Sequence, residues 1–487
     1  MQSVNRDKFI DSFFWRFMER CGAQGVTFIV SIVLARLLDP SVYGTVALIT
    51  VFTSILQVFV DSGLGNALIQ KKDADDLDFS SVFYFNLALC FFLYLLLFLV
   101  APLISCFYKM PTLTPLVRVL ALVLVISGVK NVQHAYVSRH MLFRRFFFAT
   151  LGGTIGAAIL GIVMAWRGYG VWALIAQNLF NKTVDTIILW ITVKWRPKRV
   201  FSWKRLKGLL SFGWKLLVSR LLDTVYNDLR SLIIGKRYSA DDLAFFNRGK
   251  QFPHLVVTNI NSSIDSVLFP TLSAEQDSKT RLRVLTRRAI TISTYLMMPI
   301  MMGIAVCADS LVRIILTKKW LPAVPYLRVF CFTYAFYPVA TANLNAIKAL
   351  GRSDQFLKLE IIKKAVGTIT LLITMWISVE AMAYSLLITS ILSQIINASP
   401  NRKLLGYRYS EQLRDMLPQI LLSCGMGVIV YAVKFLHFGP WTTLLIQIPL
   451  GIIIYVLGSK LFHFESFEYV LNVVKSFYSK FLRRSTR

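Results

Sequence analysis

Ser12-Phe13-Phe14-Trp15-Arg16 opens one long apolar stretch, and Ser211-Phe212-Gly213-Trp214-Lys215 opens another. After each comes a tight turn, Leu38-Asp39-Pro40-Ser41 in the first case and Tyr238-Ser239-Ala240-Asp241 in the second. An aromatic residue follows, Tyr43 or Phe245, and then a second long apolar stretch. The chain therefore repeats itself, and the basic run Lys194, Arg196, Lys198, Arg199, Lys204, Arg205, Lys207 lies between the copies. Working outward from this pair, apolar segments separated by turn signals predict about fourteen membrane spans, at roughly 20 or more residues each. They cover 12–37, 41–70, 79–108, 113–138, 146–166, 168–193, 208–235, 241–272, 284–307, 322–349, 356–378, 380–400, 411–434 and 439–461.

The expected fold is an all-α polytopic membrane protein. A six-helix bundle over 1–194 and a basic cytoplasmic linker over 195–207 precede a second six-helix bundle over 208–403. Two further spans fill 404–462, and a basic amphipathic tail over 463–487, with Phe467, Val470, Leu471, Val474, Phe477, Tyr478 and Phe481 at helical spacing, is expected to lie on the lipid of the cytoplasmic leaflet. An even number of spans per copy makes the repeats parallel, related by an axis along the membrane normal. Pro253, Pro270, Pro299 and Pro338 lie inside spans, where bends are expected because neighbouring helices can satisfy the freed backbone groups. Trp15, Trp166, Trp172, Trp195, Trp214, Trp320 and Trp441 fall near span ends, the depth an amphipathic ring prefers.

Composition agrees. The 487 residues are 56% hydrophobic and only 16% charged, whereas soluble domains carry about 25% charged residues. No polar stretch is long enough for a nucleotide-binding domain, and no phosphate-binding GxxxxGK[ST] loop occurs. The net charge of +29 would suit nucleic acid if it were clustered. Instead the Lys and Arg residues concentrate in alternate loops, which points to membrane orientation and to no nucleic-acid partner. Both termini are expected in the cytoplasm. The first apolar segment runs on to Arg36 without a cleavage site, as in a retained helix. Cys21, Cys90, Cys106, Cys307, Cys331 and Cys424 lack metal-type spacing and read as small core residues.

Polar residues inside the spans align. Arg16, Arg20, Gln24, Thr27 and Ser31 share a face, as do Thr50, Ser54, Gln57 and Asp61. Arg220, Asp223, Asn227 and Arg230 form a third stripe, and Lys250, His254, Thr258, Asn261 and Asp265 a fourth. Tyr334, Tyr337, Thr341, Asn345 and Lys348 form a fifth, while spans three, five, six, nine, thirteen and fourteen read as far poorer in ionisable groups. Such residues at bilayer depth face a wet cavity or a partner. Snorkelling at Arg16 and Arg20, pairing of Asp223 with Arg230, and a helix irregularity at Asp61 are the structural alternatives. His254 has no second ligand at metal spacing, so no metal site is expected. No HExxH, GxSxG or paired-carboxylate constellation appears, so neither an enzyme nor a cofactor is expected. Arginines in a polar cavity suit a phosphate or pyrophosphate, whose oxygens match the guanidinium fork.

Several segments resemble one family when taken together: Ala35-Arg36-Leu37-Leu38-Asp39-Pro40-Ser41-Val42-Tyr43-Gly44, Val60-Asp61-Ser62-Gly63-Leu64, Gly168-Tyr169-Gly170-Val171-Trp172, Ile233-Ile234-Gly235-Lys236 and Val267-Leu268-Phe269-Pro270. They look like the oligosaccharide flippase branch of the multidrug/oligosaccharidyl-lipid/polysaccharide exporter superfamily, of the colanic acid or teichuronic acid exporter type. Asp242-Leu243-Ala244-Phe245-Phe246 departs from the Leu-Gly-Tyr-Tyr-like stretch expected there.

The resemblance implies alternating access in a bacterial inner membrane and a polyprenyl-pyrophosphate-linked oligosaccharide as cargo. It also implies membrane lipid, a polysaccharide polymerase and glycosyltransferases as partners. On that reading Arg16, Arg20, Arg220, Arg230 and Lys250 neutralise the pyrophosphate. Gln24, Gln57, Asn227 and Asn261 bond sugar hydroxyls, and Asp61, Asp223 and Asp265 serve ion pairing or coupling. The alternatives are a cation-coupled multidrug antiporter on the same scaffold and a non-transporting scaffold for glycan synthesis.

Overall fold

Three of the fourteen apolar stretches are interrupted, so the chain forms seventeen α-helices among the described residues. A computed structural model describes residues 6–61, 64–71, 73–140, 142–472 and 475; the side chains of 6–14, 16, 17, 19–21, 66, 143, 212, 215 and 216 are not among them. The helices are α1 (Arg6–Leu37), α2 (Pro40–Val60), α3 (Leu64–Gln70), α4 (Asp76–Tyr108), α5 (Leu113–Leu120), α6 (Leu122–Arg139), α7 (Phe143–Trp166), α8 (Val171–Thr192), α9 (Trp203–Arg237), α10 (Ala240–Ala274), α11 (Lys279–Ile315), α12 (Val324–Ala335), α13 (Tyr337–Ala349), α14 (Ser353–Thr374), α15 (Val379–Leu404), α16 (Tyr409–Ala432) and α17 (Pro440–Leu461).

The interruptions follow α2 at Asp61, separate α5 from α6 at Ala121, and separate α12 from α13 at Phe336. The last has a covalent cause: Pro338 brings no N–H to the ladder. Side chains of α15 bond carbonyls around the break, with Gln394 Nε2 donating to Phe336 O at 3.1 Å and Ser390 Oγ to Thr333 O at 3.1 Å. Pro253, Pro270 and Pro299, in contrast, sit within unbroken helices. Between α7 and α8, Gly168 (φ 82°) and Gly170 (φ 52°) occupy the left-handed region, which explains glycine at both places in that motif.

The chain divides into two compact units, Met1–Ala244 and Phe245–Arg487. In the first, α7 packs against α1 and α8, α6 against α4 and α8, and α9 against α2. In the second, α11 is the hub for α12, α13, α16 and α17. This helix runs well past the predicted 284–307. At 37 residues and 1.5 Å per residue it is about 55 Å long, so it projects beyond the hydrocarbon layer. Its N-terminal turns carry Arg283 and Arg287, which bond Glu411 (3.2 Å) and Asp415 (2.6 Å) at the start of α16. Deeper in this unit, Asn343, Asn401 and Gln412 are each fully buried. Asn343 and Gln412 exchange amide bonds of 2.9 and 3.0 Å, and Asn401 Nδ2 donates to Asn343 Oδ1 at 2.7 Å.

The basic run between the repeats is a docked strap. Helix α9 begins at Trp203, earlier than the predicted 208. Before it, Trp195 is only 7% exposed, packed against Phe79, Phe83 and Tyr136. Its Nε1 donates to Asp76 at 3.2 Å. Lys198 pairs with Asp76 at 2.6 Å, Arg205 with Asp75 at 2.8 Å, and Lys71 with Asp78 at 2.6 Å. These three acids belong at the N-terminus of α4, where the helix dipole favours negative charge, and Asp75 caps it by accepting from Asp78 N–H at 3.0 Å. That bond, with help from Arg205, holds the Asp75 carboxyl below its ordinary range.

Two tryptophans expected at the membrane interface are internal, Trp195 in this strap and the fully buried Trp320. Each finds a better partner in the protein than in the headgroups, Trp320 lying under Phe245 and the Arg248 guanidinium. Cys106 and Cys424, expected in the core, are exposed. The tail is helical over 465–472, and its Phe467 and Val470 pack with Phe464 against Tyr295 and Tyr455. The apolar face expected to lie on lipid is thus partly covered by protein. The predicted tail residues Val474, Phe477, Tyr478 and Phe481 lie outside the described residues.

Candidate functional site

Helices α2 and α9 touch closely at one end and part toward the other. At Gly44 a side chain is excluded, since a Cβ there would lie 1.7 Å from the Ala240 carbonyl oxygen. A Cβ on Gly235 would lie 2.0 Å from Leu48 Cδ2. One to two turns further along α2, Ser54 Oγ donates to Asp228 Oδ2 at 2.7 Å, a last tie between the helices. Beyond it opens a cavity of about 830 Å³ within the first unit.

Five helices line the cavity. Helix α2 supplies Thr50, Thr53, Ser54 and Gln57, and Asp61 follows its end. Helix α6 contributes Ser127, Lys130, Asn131, His134 and Ser138. Asn178 and Lys182 come from α8, Ser219, Arg220 and Asp223 from α9, and Gly65 and Ile69 from α3. The interruption after α2 has a purpose here. Asn131 Nδ2 takes the Val60 carbonyl at 2.7 Å, the Asp61 amide closes back on Gln57 O at 2.9 Å, and Gln57 Nε2 donates to Asp61 Oδ1 at 3.2 Å. The Asp61 carboxylate is thereby held exposed on the cavity wall.

Of the predicted site residues, Gln57, Asp61, Arg220 and Asp223 come together in this cavity. Asn227 and Arg230 lie further along α9 and do not line it. Arg230 is 6% exposed, and its Nε and Nη2 find no hydrogen-bond partner among the described residues. Gln24 is exposed on α1 away from the cavity, and the side chains of Arg16 and Arg20 lie outside those described. In the second unit Asp265 accepts from Asn345 Nδ2 at 2.7 Å, Asn261 buries an unpartnered Oδ1, and Lys250 stands a turn from His254 on α10. Among the described residues no group of side chains suited to a metal is present.

The stripe reading missed Lys130, Lys182 and Asp185. Span six was counted poor in ionisable groups, yet Asn178, Lys182 and Asp185 recur at steps of four and three on α8. Lys130 and Asp185 form an ion pair across α6 and α8. A lone charge at mid-span was itself the signal, whether or not a stripe accompanies it.

A second concavity, of about 450 Å³, is apolar. It lies in the C-terminal unit between α11, α16 and α17, with Pro299, Ile304, Met426, Ile448 and Ile452 among its walls.

The family model described as "Polysaccharide biosynthesis protein" matches residues 33–325, which include every helix around the cavity. The chain belongs to that family. Another protein similar to it is the teichuronic acid biosynthesis protein TuaB of Bacillus subtilis, 25% identical over 403 residues, covering 78% of this chain and 80% of that one. Among solved structures, the lipid II flippase MurJ in an inward closed conformation superposes with a TM-score of 0.74 at 15% identity, over 94% of this chain and 98% of that one. An inward-facing multidrug resistance MATE transporter of the MOP superfamily gives 0.62 at 16% identity, over 78% and 94%. This polysaccharide biosynthesis family member is thus a multi-pass membrane protein with the MurJ-like and MATE-like fold of about fourteen transmembrane helices. Among the described residues eight helical segments are long and apolar enough to cross a membrane, α2 with its polar stripe among them; the other stripes lie on α1, α9, α10 and α12–α13, which are not of that kind.

Proposed function

We propose that the protein is a flippase that carries a polyprenyl-pyrophosphate-linked oligosaccharide repeat unit across a bacterial inner membrane, for exopolysaccharide, O-antigen or capsule synthesis. It works by alternating access, as a transporter and not an enzyme, with both termini cytoplasmic. The observation that carries the reading is the 830 Å³ cavity among membrane helices, walled by Arg220, Lys130 and Lys182 together with amides and hydroxyls. Cations and hydrogen-bonding groups at bilayer depth are costly to keep, and a charged, hydroxyl-rich headgroup uses both. Relatives named for teichuronic acid biosynthesis and for flipping lipid II support the cargo class.

Within this reading Arg220 contacts pyrophosphate, with Arg16, Arg20, Arg230 and Lys250 joining at other stages of the cycle. Gln57, and in turn Gln24, Asn227 and Asn261, bond sugar hydroxyls, while Asp61, Asp223 and Asp265 pair or couple. The apolar groove of the C-terminal unit suits a prenyl chain. The repeat boundary at 195–207 divides two six-helix halves, with 404–462 appended. Membrane lipid, a polymerase and glycosyltransferases are the partners this role requires. The closed α2–α9 end faces outward, so the cavity opens to the cytoplasm. The rival drug antiporter needs an acidic pocket, and the three lining cations disfavour it.

Charge reversal tests the proposal. Arg220→Glu and Arg230→Glu variants should reach the membrane at wild-type levels yet fail to restore polymer export in a deletion strain. Full export by both variants refutes the assignment.

A further inference from the structure

We infer that Lys182, with Lys130 and Asn178, forms a second anion subsite that takes a carboxylate-bearing sugar of the cargo. The inference rests on the cavity being the cargo site. Lys182 lies at the middle of α8, with 171–181 before it and 183–192 after it, about 16 Å from either end at 1.5 Å per residue. Its charged neighbours are Lys130, Asp185 and Asp61, and its ammonium makes no hydrogen bond or ion pair among the described residues. The one carboxylate placed between the two lysines, Asp185, is 5% exposed and already taken by Lys130. Asp61 accepts from Gln57 Nε2 at its Oδ1.

The donor count on this wall is one-sided. An ammonium has three N–H donors and no acceptor, so Lys182 offers three unused and Lys130 two. Asn178 lies one turn before Lys182 and lines the same cavity. An unpaired ammonium at mid-membrane is costly on insertion scales, and an arriving anion recovers that cost by replacing its water. The site differs in chemistry from Arg220. A guanidinium fork matches the several oxygens of a pyrophosphate, whereas a lysine is a compact point charge suited to a single carboxylate. The cargo this wall fits is an acidic oligosaccharide, with a uronate or similarly carboxylated residue near its reducing end.

The test uses the full-length protein in detergent and three soluble probes: trigalacturonic acid, neutral maltotriose and inorganic pyrophosphate. Wild-type protein should bind trigalacturonate more tightly than maltotriose, with affinity falling as salt rises. Lys182→Gln should weaken trigalacturonate about tenfold more than it weakens pyrophosphate, Lys182→Arg should retain most of it, and Arg220→Gln should show the opposite ranking. The comparison of trigalacturonate with maltotriose on wild-type protein needs no variant, so poor folding of Lys182→Gln does not decide the matter. Equal binding of the two sugars overturns the subsite. So does a Lys182→Gln defect that falls equally on pyrophosphate, which would place the carrier phosphate there. If pyrophosphate binds through Arg220 while trigalacturonate does not bind, only this inference falls. If neither anion binds wild-type protein, the cavity reading falls with it.

Discussion

Gly44→Ala is the smallest change that pries α2 from the start of α10, just past the end of α9. The new methyl carbon would lie 1.7 Å from Ala240 O, 2.4 Å from Ala240 C and 2.9 Å from Ala240 Cα. Ordinary contact begins near 3.4 Å, so the helices must part by about 1.7 Å. Backbone stands on both sides, which leaves no rotamer to relieve the overlap. Overpacking of this kind costs about 1–3 kcal/mol, equivalent to a population shift of about 5- to 150-fold against the closed contact. Gly235→Ala meets only the end of the Leu48 side chain and should shift the balance less. Gly25→Ala, with nothing within 4 Å, serves as the neutral control. The readout is maleimide labelling of a Thr50→Cys reporter in intact cells, since Thr50 lines the cavity on the α2 wall nearest the contact. Gly44→Ala should raise its labelling rate from outside at least fivefold and lower export, with Gly235→Ala intermediate. Unchanged labelling together with wild-type export in Gly44→Ala would refute the idea that this contact closes the outer end.

Two further outcomes follow from the packing. Asn343→Leu strands the Gln412 amide and leaves Asn401 Nδ2 only its longer bond to the Asn343 backbone carbonyl, in a fully buried site; unsatisfied groups cost about 1–3 kcal/mol each, so its melting temperature should fall clearly. Replacing all three by leucine should recover much of the loss, because no polar group is left unpaired. Docking of the 193–202 strap should depend on pH. The Asp75 carboxyl titrates lower in the folded protein, so its contribution is present above the unfolded value near 3.9 and is lost as pH falls through the lower folded one. Hydrogen exchange at the Lys198 and Ser202 amides, which donate to Ser80 Oγ and Ser81 Oγ, should therefore lose protection below about pH 4, beyond the general slowing of exchange in acid.

Hydropathy located all the long membrane segments because burial in lipid demands apolar residues along the whole helix. It placed the start of α9 late because Trp203-Lys204-Arg205 reads as a charged loop, and only the Asp75 and Asp78 carboxylates explain why these residues are helical and held. Periodicity found Gln57, Asp61, Arg220 and Asp223 because they repeat along single helices. It passed over Lys130 and Lys182, each nearly alone on its own helix and made neighbours only by the packing of α6 on α8. Trp195 and Trp320 misled for a related reason: an indole near a span end looks the same in sequence whether lipid headgroups or protein will cover it.

The docked strap also has a bearing on time. During insertion, Lys198, Arg205 and their neighbours act as bare charges, and any cation at those positions would hold the loop on its side of the membrane. Once α4 is in place, Lys198 and Arg205 are spent on Asp75, Asp76 and Asp78, while Arg196 folds onto the carbonyls of Val193 and Trp195. The same residues thus serve first as a topology signal indifferent to their geometry and later as a latch that depends on it. An Arg205→Lys exchange would keep the first role and weaken the second, so biogenesis and the finished fold can be separated at a single codon.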